Sequence, residues 1–108
     1  MLENRFIEQD TVTDKVAFVT GAYPMSIRDY VVRADSTDGA FSLTLPPVTE
    51  AMGRIYAIHL SVWDGDVTIQ DQGDSEDWAD VIMIGPDNGA VLYSDGRKWW
   101  VLHATLAL

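Results

Sequence analysis

The sequence predicts an all-β fold, a single compact β-sandwich or jelly-roll-like barrel of about eight short antiparallel strands behind an N-terminal arm. Three features point there. Short segments alternate apolar and polar residues with a period of two, as in Phe41, Leu43 and Leu45 against Ala40, Ser42 and Thr44. Clusters of Gly, Pro, Asp and Ser punctuate those segments. No segment sustains the apolar spacing of a helix.

Residues Met1 to Asp14 read as the arm, with Leu2, Phe6, Ile7 and Val12 scattered among Glu3, Glu8, Asp10 and Asp14. Such a segment is loose unless a neighbour ties it down. The β domain then runs from Lys15 to Leu108. Lys15 to Ala22 forms a first strand, ended by Gly21, Pro24 and Ser26. Arg28 to Ala34 is a second, with Tyr30, Val32 and Ala34 facing in. After the turn Asp35 to Gly39 comes the strand carrying Phe41, Leu43 and Leu45, closed by Pro46-Pro47, neither of which can donate to a ladder. Val48 to Met52 suits one helical turn.

Arg54 to Val62 is the longest strand, with Tyr56, Ile58, Leu60 and Val62 on one face. Trp63-Asp64-Gly65-Asp66 reads as a hairpin turn into Val67-Thr68-Ile69. Gln70 to Asp77 is a polar, acidic loop. Ala79 to Ile84 is apolar on both faces, fitting a buried strand or a subunit contact. No internal repeat is evident.

The closing ribbon organises the chain. Ala90 to Tyr93 and Trp99 to His103 flank Ser94-Asp95-Gly96-Arg97, and Asp-Gly between apolar runs signals a hairpin. Strict alternation puts Trp100 and Leu102 on one face and Trp99, Val101 and His103 on the other. Both faces are apolar, so one serves the core and the other a partner. Tyr93, Trp99, Trp100, Leu106 and Leu108, with Phe6 and Ile7 of the arm, are the expected interface residues. Of the two indoles, the one facing away from the core is the expected anchor.

Composition narrows the chemistry. Seventeen acids against seven bases give a net charge of −10, which repels phosphate backbones and argues against nucleic acid. Between Arg54 and Arg97 there is no Lys or Arg. The chain has no cysteine, hence no disulfide, thiolate site or cysteine nucleophile. No signal-peptide pattern and no apolar run of about 20 residues points to a membrane.

The carboxylates Asp64, Asp66, Asp71, Asp74, Glu76, Asp77 and Asp80 suggest calcium, but they lack the Asp-x-Asp-x-Asp-Gly order and distal Glu of a calcium loop. A solvated acidic loop is the expected state, with no metal and no cofactor. His59 and His103 sit at strand positions outside any catalytic motif. Trp63, Trp78, Trp99 and Trp100, with Tyr23 and Tyr93, offer faces for sugars. Bases would need an adjoining basic groove, which is missing.

Several stretches carry a resemblance: Tyr30-Val31-Val32-Arg33-Ala34-Asp35, Gly39 to Pro47, Gly53-Arg54-Ile55-Tyr56, Asp66-Val67-Thr68-Ile69, and Val91 to Gly96 with Trp99-Trp100-Val101-Leu102. In order and spacing these resemble the small β domain of tailed-bacteriophage virion proteins, found in tail-fibre and spike modules, head fibres and head decoration proteins. The resemblance spans roughly Asp29 to Leu102. It implies a non-enzymatic structural role, usually as a homotrimer on the virion. The sequence shows no shaft, coiled coil or fibrous repeat, which favours a capsid decoration (cement) protein on the outer surface of the head. Its partners would be itself and the major capsid protein or a neighbouring virion protein. The alternative is a tail or fibre component that binds a host receptor, perhaps a glycan.

Overall fold

The computed structural model describes residues 16–106. The arm from Met1 to Asp14, with Phe6 and Ile7, and the terminal Leu108 lie outside the described residues. Nine strands form: β1 (Val16–Val19), β2 (Tyr23–Pro24), β3 (Val31–Asp35), β4 (Phe41–Thr44), β5 (Ile55–Val62), β6 (Val67–Gln70), β7 (Val81–Met83), β8 (Gly89–Ser94) and β9 (Trp99–Thr105). The all-β expectation is met, and the segments expected as strands are close to those observed.

Their pairing differs from the expectation. One sheet has the order β1-β3-β5-β8-β9 and the other β2-β4-β6-β7. The pairs β1–β3, β3–β5, β2–β4 and β4–β6 are parallel; only β5–β8, β6–β7 and β8–β9 are antiparallel. The first six strands alternate between the sheets, so the chain winds as a coil before reversing at β7. The sheets are therefore mixed, not antiparallel. Trp63-Asp64-Gly65-Asp66 is accordingly no hairpin turn: it is a corner carrying the chain from β5 in one sheet to β6 in the other.

The coil also contains a repeat that the sequence reading missed. Val31 lies beside Ala57 and Phe41 beside Val67, an offset of 26 residues that recurs in the hydrogen bond from Gln70 Nε2 to Thr44 Oγ1. At that offset Val32 matches Ile58, Ala34 matches Leu60, Asp38-Gly39 matches Asp64-Gly65, and Leu43 matches Ile69. The two Asp-Gly corners stack. A Cβ on Gly65 would stand 2.5 Å from the Ala40 nitrogen and 2.7 Å from the Gly39 carbonyl carbon, so no other residue fits without moving backbone.

Ser36 seals the corner from inside the fold. It is fully buried, and its hydroxyl accepts from the N–H groups of Asp64 (3.0 Å) and Gly65 (3.2 Å) while lying 2.7 Å from the Gly65 carbonyl as donor. A buried hydroxyl satisfied this way meets the hydrogen-bonding needs of a tight bend that no ladder can serve.

The buried residues of both sheets make one cluster. Val32, Ala34, Tyr56, Ile58, Leu60, Leu92 and Trp99 come from the five-stranded sheet. Leu43, Val67, Ile69 and Met83 come from the other, with Met25, Leu45, Val48 and Ala51 from connecting segments. The inward assignment of Tyr30 fails: it is 42% exposed, just before β3 begins. Val62, 44% exposed, leaves the face of Tyr56, Ile58 and Leu60, because the register shifts so that Ala34 pairs with Leu60 but Asp35 with Val62. Val48 to Ala51 makes the expected turn, with the N–H of Ala51 bonded to the Pro47 carbonyl at 3.0 Å.

Candidate interaction surface

The five-stranded sheet turns one face to the core, and its other face has no layer over it among the described residues. Strand register places that outer face in four rows. Phe18, Arg33, His59, Gly89 and Thr105 form one; Val16, Val31, Ala57, Val91 and His103 form the next; Ile55, Tyr93 and Trp100 form the third. Asp35 and Val62 form the fourth. Asp35 is the one carboxylate in these rows on a chain whose net charge is −10, while Asp87 and Asp95 reach His59 and Trp100 from the rim. Phe18 is 67% exposed, Ile55 56% and Trp100 42%. An exposed set of this kind, rimmed by polar groups, marks an interaction surface more often than an ordinary solvated face.

The cations of this face are held over its aromatic rings. The Arg33 guanidinium lies 5.6 Å from the centre of the Phe18 ring and Lys98 Nζ lies 4.2 Å from that of Trp100. Asp95 fixes Trp100 from the other side. Its Oδ2 accepts the indole N–H at 2.9 Å, and its Oδ1 accepts the backbone N–H groups of Arg97 (2.9 Å) and Lys98 (2.8 Å). These bonds, led by that from Trp100, hold the Asp95 carboxyl below its ordinary value of 3.8. Gly96 supplies the positive φ of 95° that the tip requires. The hairpin expected from Asp95-Gly96 is thus present, and it presents Trp100 in a fixed pose.

Trp99 takes the opposite role. It is only 2% exposed and meets Tyr56 edge-on, with ring centres 5.7 Å apart. Its backbone N–H donates to Ser75 Oγ at 3.0 Å, and its indole N–H has no acceptor. Trp99 is therefore withdrawn as an interface residue and belongs to the core. Of the remaining expected residues, Trp100 is on the outer face, Tyr93 is half-buried beside it, and Leu106 is 39% exposed at the end of β9.

The face assignment along β9 also changes, because the ladder carries a bulge. Leu92 pairs with Val101 and Val91 with His103, leaving Leu102 unopposed. His103 therefore shares the face of Trp100, and the strict alternation read from the sequence stops at Val101. Beyond Trp99, every described residue of β9 and Leu106 is exposed. Val101 lies beside the buried Leu92 yet is 41% exposed, and Leu102 is 55% exposed. Sheet order explains this: a five-stranded sheet is opposed by a four-stranded one, so its last strand overhangs. Nothing in the residue pattern of β9 signals an overhang; that follows only from the number of strands opposite.

The acidic loop spends its carboxylates one at a time. Asp74 Oδ2 accepts the Val48 N–H at 2.9 Å, Asp71 Oδ2 that of Ser75 at 3.1 Å, and Asp80 Oδ1 the Trp78 indole at 2.8 Å. Glu76 pairs with Arg97 at 3.2 Å. Among the described residues no three acidic or histidine side chains are grouped to hold a metal ion. His59 contacts Asp87 at 3.2 Å and His103 contacts Thr105 at 3.2 Å. β8 lies between the strands that bear them, so the structure does not bring the two histidines together.

Compared with known proteins, the chain matches no family model, no curated protein and no solved structure.

Proposed function

We propose that this chain is a non-enzymatic structural protein of a tailed-bacteriophage virion, a capsid decoration protein that self-associates, as a homotrimer, and docks on the outer head shell. The observation that carries the self-association is the outer face of the five-stranded sheet, with its exposed Phe18, Ile55 and Trp100 and a single carboxylate, Asp35, in its rows. Like-charged copies of an acidic chain repel one another. A contact between them is best placed where acids are few and apolar area is available. The virion assignment rests on the sequence resemblance alone.

The mechanism is mechanical. Buried area between neighbouring copies and the capsid protein ties capsomers together and opposes expansion by packaged DNA, which calls for interfaces of roughly 1,000 Å² or more. Labelling intact particles with antibody against this chain, followed by imaging, tests the role. Regular decoration of the head is expected, and heads stripped of the protein should break at lower osmotic stress. Absence from purified particles would refute it. Label on the tail would favour receptor binding, for which Trp63, 44% exposed on the corner beside Asp64 and Asp66, is the available sugar platform.

A further inference from the structure

Diagonally across the outer face from Trp100, the ladder between β3 and β5 is broken. Ala34 pairs with Leu60 but Asp35 with Val62, leaving Ser61 unopposed. The Ser61 hydroxyl donates to the Ala34 carbonyl at 3.0 Å and so serves the backbone beside the break. Bulges are rare in parallel ladders and are over-represented next to functional sites. This one borders a cleft of about 190 Å³ whose lining includes Phe18, Thr20, Arg33, Asp35, Ser61 and Val62. These residues come from the carboxyl ends of three adjacent parallel strands, β1, β3 and β5.

The polar groups of the cleft are left open. The Arg33 guanidinium lies over the Phe18 ring and makes no hydrogen bond among the described residues. Asp35 uses only Oδ1, which accepts from the Thr37 hydroxyl at 2.5 Å and the Thr37 N–H at 2.9 Å. Those bonds hold its carboxyl below the ordinary 3.8, so at neutral pH it is an acceptor. Its Oδ2 has no partner among the described residues. Arg33 and Asp35 alternate on one face of β3, about 7 Å apart along it, and form no ion pair with each other. Phe18 is 67% exposed beside them.

We infer that this cleft binds one uncharged sugar ring, a hexopyranose such as ends a glycan, stacked on Phe18, with its hydroxyls donating to Asp35 and accepting from Arg33. The inference goes beyond the self-association and does not depend on it. Three features select that ligand. A hydroxyl both donates and accepts, which matches a wall holding open donors and an open acceptor, and bonds to charged partners are the strong kind. One cation and one anion leave the cleft nearly neutral, while the net charge of −10 disfavours acidic sugars. Size allows a single ring, since pockets for larger ligands run to roughly 300 Å³ or more. A zwitterionic amino acid would also meet both charges, but ion pairs on an exposed surface gain little.

The test is a nuclear magnetic resonance titration of the full-length, isotope-labelled protein with the methyl glycosides of glucose, galactose, mannose and N-acetylglucosamine. At least one should shift the Phe18, Arg33 and Ser61 amides saturably, with a Kd of about 1–10 mM for so small a ligand. Phe18→Ala removes a ring that is already exposed, and Asp35→Asn keeps an acceptor for Thr37. Each should weaken binding about tenfold or more, with the rest of the spectrum unchanged, whereas Trp100→Ala should bind as the wild type does. Absence of a saturable shift with every glycoside overturns the inference, as does wild-type binding by both cleft variants. Shifts confined to Trp63 would place the sugar at the corner and refute the cleft. A response to glucuronate or alanine without one to the neutral glycosides would refute the ligand class.

Discussion

Replacing Trp99 with alanine removes a large ring from the core and its edge-on contact with Tyr56, at an expected cost of about 3–5 kcal/mol in urea unfolding. Trp99→Phe keeps an aromatic edge there and deletes an N–H that has no acceptor, so it should cost about 1.5 kcal/mol or less. Trp100→Ala, one position along, should leave unfolding nearly unchanged and weaken association by about 2 kcal/mol, read by sedimentation equilibrium. The pose of Trp100 is also acid-sensitive. Asp95 has a native pKa below its ordinary 3.8, so its bond to the indole contributes stability above that value and loses it as pH falls through the lowered one. The Trp100 indole N–H resonance should hold constant from neutral pH to about pH 4 and move below it. A shift centred near pH 6 would show that another group controls the ring. The sequence told that one indole of the pair faces out; it could not tell which, since this depends on the register with Ser94 and Tyr93.

At the scale of elements, the stacked corners are the part of the fold least open to substitution. Gly65→Ala pushes a Cβ into the Gly39–Ala40 backbone and should cost about 1–3 kcal/mol, the range for overpacking. Ser36→Ala strands the N–H groups of Asp64 and Gly65, with a similar expected cost. Thermal melts of the two variants and of the pair test the linkage. The double variant should lose less than the sum, because both substitutions open one corner. Period-2 alternation located most strands well, since each buries one face. It could not reveal their partners, because alternation reads the same in parallel and antiparallel ladders. A signal was nonetheless present: the match of Asp38-Gly39 to Asp64-Gly65 and of Leu43 to Ile69 at one common offset points to successive turns of a coil.

For the whole molecule, charge and apolar area act in opposite directions. The chain repels its copies through a net charge of −10, while the outer sheet face and β9 offer apolar surface for contact. Salt screens the first and leaves the second, so association should tighten as ionic strength rises, opposite to a contact driven by ion pairs. The candidate surface was legible in the sequence only as a two-faced apolar ribbon. Its extension across β1, β3 and β5 arises from parallel pairing between strands far apart in the chain. The most direct test is sedimentation equilibrium of the full-length protein and of Trp100→Asp across a range of concentrations. The account predicts a discrete oligomer for the wild type and a monomer for the variant, both with the same far-ultraviolet dichroism. A wild-type chain that remains monomeric at every concentration and salt would contradict it.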